Sequence, residues 1–235
     1  MLPLKDNVPT RTFPVVTVAL IAINVLVFLW EISGTPLDAD VVHYGYYPCE
    51  VHTPCVGIAR QRELGVVPSV FSSMFMHGGI VHIGGNMLFL WIFGNNVEDA
   101  LGKVRFLTWY LAAGIAATVA QTLVTVWFGD AQAASVPNIG ASGAIAGVLG
   151  AYFLLLPRAR VLTAIFLGFF FFIQEIPAIF YIGIWFLFQL WQGGFSVLHP
   201  EAGGGVAFFA HVGGFVFGLL TIQLVKQRDP LRPAY

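Results

Sequence analysis

Six apolar runs separated by more polar breaks leave this chain no way to fold in water. The first, from Phe13 to Ile32, has about 20 residues. At 1.5 Å per residue it matches the roughly 30 Å hydrocarbon core of a bilayer, and it is too long for the apolar core of a signal peptide. The others lie at about Ile80–Phe93, Val104–Phe128, Ser142–Leu156, Val161–Gln192 and Val206–Val225. Composition agrees, with 57% hydrophobic and 10% charged residues against about 45–50% and about 25% in soluble chains. The mean hydropathy is +0.81. These are the marks of an integral membrane protein, and 26 glycines in a Phe-rich chain favour transmembrane helices that pack closely. A net charge of −1 and the lack of any Lys/Arg run exclude a nucleic-acid partner. Membrane lipid is the partner to expect.

The fifth run is too long for one span. Its 32 residues would make a helix of roughly 48 Å, interrupted by Gln174, Glu175 and Pro177. Lys and Arg near span ends prefer the cytoplasmic side, and this decides its reading. With one span at about Pro177–Gln192, the six helices place Lys5, Arg11, Lys103, Arg105, Arg158, Arg160, Lys226, Arg228 and Arg232 inside, and only Arg60 and Arg62 outside. A second span there would move the last three outside. The expected fold is therefore an all-α polytopic membrane protein, a bundle of six transmembrane helices with both termini cytoplasmic. It forms a single membrane domain over residues 1–235, with Val161–Ile176 partly interfacial. Residues 33–79 form a large external loop, and residues 193–205, with Gly193, Gly194 and Gly203–Gly205, form an external cap before the sixth helix. The tails are too short for a second domain.

The external loop holds both cysteines, Cys49 and Cys55. An oxidising exterior permits a disulfide between them, and two free thiols fit the sequence equally well. A zinc site adding His43 or His52 is the weaker reading, because the spacing matches no standard zinc pattern. The chain has neither a fixed-period repeat nor an inverted duplication, which counts against a transporter.

Strongly polar side chains inside spans are costly and mark candidate sites. Ser142 lies 15 residues before Pro157, and His211 lies 15 before Lys226, which puts both roughly 22 Å above the cytoplasmic boundary. His82 and Asn86 precede Glu98 by 16 and 12 residues, or roughly 24 and 18 Å. All four share one layer. Taken singly, a helical serine usually bonds its own backbone, a membrane histidine often joins two helices, and Asn86 could do the same. The common depth is what raises them above those readings. Gly143, Gly147 and Gly150 on the fourth helix, and Gly214 and Gly218 on the sixth, form small-residue faces that let the two helices approach. His211 can then act as general base to a nucleophilic Ser142. His82 and Asn86 project from one helix face, and with the Ser142 amide they can supply donors for an oxyanion.

These residues resemble the rhomboid family of intramembrane serine proteases. The motifs are Gly-Ala-Ser-Gly at 140–143, Ala-His-Val-Gly-Gly-Phe-Val-Phe-Gly at 210–218, His82-x-x-x-Asn86, and Gly94-x-x-x-Glu98-x-x-x-Gly102. The likeness covers roughly residues 13–225 in the family's order. It implies a bundle of rhomboid type in a cell membrane, expected to be a bacterial plasma membrane. It also implies an endopeptidase that cuts transmembrane segments near their ends, preferring small side chains, with no cofactor or metal. Ser142 resembles the family nucleophile and His211 its base, forming a dyad without an acidic third member. His82, Asn86 and the Ser142 amide match the oxyanion-hole positions, and Gly94, Glu98 and Gly102 match a structural turn.

Two positions depart from the pattern. Ala146 stands where some rhomboids place an aromatic residue against the catalytic imidazole, so an aromatic from elsewhere, such as Phe153 or Phe215, would have to substitute in orienting His211. Phe71-Ser72-Ser73 stands where many members carry a Trp-Arg pair. His77 is read as a loop-packing residue. The alternative function is a non-proteolytic relative that binds transmembrane helices, which would need neither Ser142 nor His211. A small-solute transporter using the same polar layer is the third reading. Oligomeric state and natural substrate are not encoded in these motifs.

Overall fold

The computed structural model describes residues 1–34, 37–52, 54–57, 64–168, 170–199 and 206–231. Arg60, Arg62, Arg232 and Gly203–Gly205, all used above, lie outside the described residues. The chain runs β1 (Leu2–Asp6), α1 (Val15–Glu31), α2 (Leu37–Tyr44), α3 (Cys49–His52), α4 (Val66–Ser73) and α5 (Ile80–Phe89). A π-turn over Leu90–Gly94 then leads into α6 (Asn95–Leu101), α7 (Lys103–Phe128), α8 (Ala131–Ala134) and α9 (Ser142–Leu155). Last come β2 (Arg160–Leu167), β3 (Phe170–Pro177), α10 (Ala178–Leu198) and α11 (Phe208–Val225).

Among the described residues, α7, α10 and α11 are long and apolar enough to cross a bilayer, and α1 and α9 are shorter apolar helices. α9 forms the centre. Every residue from Gly143 to Tyr152 is buried, as expected for a helix apolar all round. Its 14 residues rise about 21 Å, less than a hydrocarbon core. Ser142 is the first residue of this helix.

The packing around α9 depends on absent side chains. A Cβ placed on Gly214 would overlap the Gly143 carbonyl oxygen, and one on Gly218 would overlap that of Gly147. α9 and α11 thus meet backbone to backbone, where van der Waals contact drives association. Cβ atoms on Gly143 and Gly147 would also fall 2.6 and 2.7 Å from the Ala117 and Ala113 methyls of α7. The sequence reading had not assigned this third small-residue face.

The all-α expectation fails at residues 160–177. β2 and β3 form an antiparallel hairpin, with pairs from Arg160↔Pro177 to Leu167↔Phe170, and β1 adds a third strand beside β2. Gly168, with φ +61°, takes the turn position that an L side chain rarely tolerates. The β-branched and aromatic residues that made this stretch look like part of a span also suit a strand. Pro177 then precedes α10 directly.

Cys49 and Cys55 are joined in a disulfide, which removes the thiolates that a zinc reading with His43 or His52 requires. Gly193 and Gly194 lie inside α10, which continues to Leu198, so the cap loop begins later than residue 193.

Glu98 holds the start of α1. Its carboxylate accepts hydrogen bonds from the backbone N–H groups of Val16 at 3.0 Å and Thr17 at 2.7 Å, and from the Thr17 hydroxyl at 2.8 Å. An anion at a helix N-terminus satisfies otherwise unpaired donors and complements the dipole. Gly94, one turn earlier, lies against Thr17, and Gly102, with φ +76°, starts α7. At the same end of the molecule, Asp99 receives Arg11 at 3.0 Å and Arg228 at 2.9 Å.

Candidate active site

Ser142 is the first residue of α9, so its backbone N–H has no partner within the helix. The loop ahead of it is pinned from two sides. Asn138 and Tyr46 exchange backbone hydrogen bonds, and the Gly140 N–H donates to the Ser73 carbonyl at 2.8 Å. Gly140 has φ +109°, and a Cβ there would fall 2.7 Å from His82 Nε2 and 3.5 Å from Asn86 Nδ2. Both conformation and space restrict this position to glycine, and the two polar side chains of α5 converge on the turn that precedes Ser142.

His211, at the start of α11, lies with Nε2 2.9 Å from Ser142 Oγ. Its other nitrogen, Nδ1, lies 2.8 Å from Gln189 Oε1 on α10. The Trp185 ring packs beside it with centroids 5.9 Å apart. Phe215 and Phe153 do not take this place: they pack on each other, and Phe215 also stacks on Phe186 at 4.1 Å. The aromatic from elsewhere that packs beside the imidazole is thus Trp185, and the two phenylalanines named for that place are corrected. Gln189 and Trp185 flank the ring.

Asn86 is buried, and its Nδ2 lies 3.0 Å from His77 Nε2. His77 is fully buried; its Nδ1 faces the Phe75 carbonyl at 3.2 Å, and its backbone N–H donates to the Glu31 carboxylate at 3.2 Å. With its Nδ1 proton on Phe75, His77 accepts one Asn86 amide hydrogen at Nε2, leaving the other for the cavity. The His77 and His82 rings meet edge to face at 5.0 Å. Loop packing was thus too modest a reading of His77.

A cavity of about 600 Å³ opens over these groups, lined by Val81, His82, Asn86, Ser142, Trp185 and His211 among others. It is large enough for several amino-acid side chains and mostly apolar, with a few polar groups in its lining. The arrangement juxtaposes a hydroxyl, an imidazole and a set of N–H donors, the components of acyl transfer. Of the sequence-nominated residues, Ser142, His211, His82 and Asn86 come together here. Gly143, Gly147, Gly214 and Gly218 lie at the helix contacts beneath, and Gly94, Glu98 and Gly102 lie at the far end.

A family model described as Rhomboid domain matches residues 65–228. The chain is 32% identical over 159 residues to Rhomboid protein 1, mitochondrial, of Saccharomyces cerevisiae, an alignment covering 65% of this chain and 40% of the yeast protein. It is 32% identical over 224 residues to the bovine Presenilin-associated rhomboid-like protein, mitochondrial, covering 90% of this chain and 50% of that one. It is 34% identical over 143 residues to Rhomboid protease GluP of Bacillus subtilis, covering 59% of this chain and 24% of GluP. The chain thus spans half the length or less of these relatives. Two of the three carry mitochondrial names, so the bacterial plasma-membrane expectation finds no support in them.

Proposed function

The chain belongs to the rhomboid family, and from that premise we propose that this multi-pass membrane protein is an intramembrane serine endopeptidase acting on transmembrane segments of other membrane proteins. The observation that carries the reading is the 2.9 Å approach of Ser142 Oγ to His211 Nε2 in a cavity shared with His82 and Asn86. The Bacillus relative is named a protease, which agrees with it.

In this reading Ser142 attacks the scissile carbonyl while its proton passes to His211 Nε2. The developing oxyanion takes hydrogen bonds from the free Asn86 amide hydrogen, His82 and the unpaired Ser142 N–H. Collapse of the tetrahedral intermediate expels the amine, which takes the proton from His211. Water then repeats the sequence on the acyl-enzyme. Preorganised donors in a site shielded from bulk water stabilise the oxyanion without reorganising at the moment of reaction.

We read α1, α5 with its π-turn and α6, α7, α9, α10 and α11 as six membrane passages with both termini on the cytoplasmic side. The convergence of Arg11 and Arg228 on Asp99 supports placing both chain ends together. The non-proteolytic helix-binding reading has no use for a serine hydrogen-bonded to a histidine.

The test is covalent. A fluorophosphonate probe reacts with an activated serine, so the purified protein should be labelled at Ser142 and the Ser142→Ala variant should not. A wild-type protein that stays unlabelled in lipid contradicts the reading.

A further inference from the structure

A dyad accounts for only one of the two imidazole nitrogens of His211. Resting on the serine-protease reading, we propose that Gln189 is the positioning residue of this site, its side-chain oxygen holding His211 in the tautomer that accepts the Ser142 proton.

A neutral imidazole carries one N–H. Gln189 Oε1 stands 2.8 Å from Nδ1, so the proton resides there and the Nε2 lone pair faces Ser142 Oγ at 2.9 Å. The other tautomer would set two lone pairs against each other at Gln189 and turn an N–H toward the serine, where a proton acceptor is needed. With the amide turned oxygen-first toward the ring, this hydrogen bond disfavours the unproductive form. It also fixes the plane of the ring, which is held at both nitrogens with Trp185 against it. Trp185 and Gln189 are four residues apart on α10 and so share a helix face. Gln189 is 6% exposed, so its side chain is largely shielded from solvent.

An amide suits this location. In soluble serine proteases a buried Asp accepts the hydrogen bond from Nδ1–H, but a carboxylate at membrane depth is expensive. The amide oxygen orients the ring and points a dipole at the imidazolium that forms when Ser142 is deprotonated, without burying a second ionisable group. It also ties three helices into one site, because Ser142, His211 and Gln189 lie on α9, α11 and α10.

The experiment compares Gln189→Leu and Gln189→Met, which keep volume but remove the acceptor, with Gln189→Glu, which keeps an acceptor at the same reach. The readouts are the second-order rate of fluorophosphonate labelling at Ser142, kcat and KM on a single-span substrate, and melting temperature, all on the full chain in liposomes. Gln189→Leu and Gln189→Met are expected to slow labelling and lower kcat by about tenfold or more, short of the ~10⁴-fold loss when a soluble triad adopts the wrong tautomer. KM should stay within about twofold, and Gln189→Glu should restore most of the rate. Labelling of the Leu and Met variants at the wild-type rate overturns the proposal. So does an equal loss in all three variants, since it assigns Gln189 to packing. Failure of the protease reading has a different signature: a wild type that is itself unlabelled.

Discussion

Asn86 Nδ2 lies 3.0 Å from His77 Nε2, so one of its two amide hydrogens is engaged before any substrate arrives. If the other serves the oxyanion, Asn86→Ala should lower kcat by on the order of ten- to a thousandfold, since one such donor contributes roughly 2.7–4 kcal/mol in well-studied hydrolases. His77→Ala leaves Asn86 in place but free to rotate, and should cost about tenfold. Turnover per folded molecule checks both, and wild-type turnover with a lowered melting temperature would make the pair structural.

The contact of α9 with α11 gives a second prediction. Any side chain at Gly214 meets the Gly143 carbonyl, whereas a Cβ at Gly84 meets nothing within 4 Å. Gly214→Val should therefore lose activity and thermal stability together, because the dyad bond spans the same two helices. Gly84→Val, which meets no steric conflict and replaces the poorer helix former of the two, should shift the melting temperature by a few degrees at most.

Glu98 separates stability from chemistry. Its replacement by Ala leaves the Val16 and Thr17 N–H groups and the Thr17 hydroxyl without their acceptor at a buried helix start. Each unsatisfied buried donor costs about 1–3 kcal/mol, so Glu98→Ala should destabilise the fold by about 3 kcal/mol or more. Activity per folded molecule, measured below the lowered melting temperature, should stay close to wild type.

Asp6 makes stability depend on pH. It accepts hydrogen bonds from Asn96 Nδ2 and the Tyr152 hydroxyl, yet burial dominates and raises its carboxyl from 3.8 to about 6. A raised acid pKa means that the folded state holds the proton more tightly. The contribution is therefore full below about pH 4, falls as pH rises toward 6, and is flat above. The half-buried site limits its size to about 1–2 kcal/mol. Asp6→Asn keeps an acceptor for both donors and should abolish this slope between pH 4 and 6 in thermal melts.

The site was legible in the sequence because membrane burial makes polar residues rare. Ser142, His211, His82 and Asn86 stood out against apolar helices, and counting from helix ends put them at one depth. Gln189 escaped because it occurs in a run that ends with Gln192 and so looks like the polar edge of a span. Its partner lies 22 residues away on another helix, beyond reach of a helical period. The hairpin at residues 160–177 escaped for a different reason: a continuous apolar run without period does not distinguish a strand from a buried helix. His77 was visible as a residue, but its contact with Asn86 depends on the path between α4 and α5, which no local pattern specifies.

The central claim is that Ser142 and His211 together cleave peptide bonds inside a membrane. Its most direct measurement is cleavage of a panel of single-span substrates in liposomes by wild type, Ser142→Ala and His211→Ala, each verified as folded by its melting temperature. The account predicts cleavage by wild type, none detectable by either variant, and melting temperatures within a few degrees of one another. Wild-type-like turnover by either variant would contradict it.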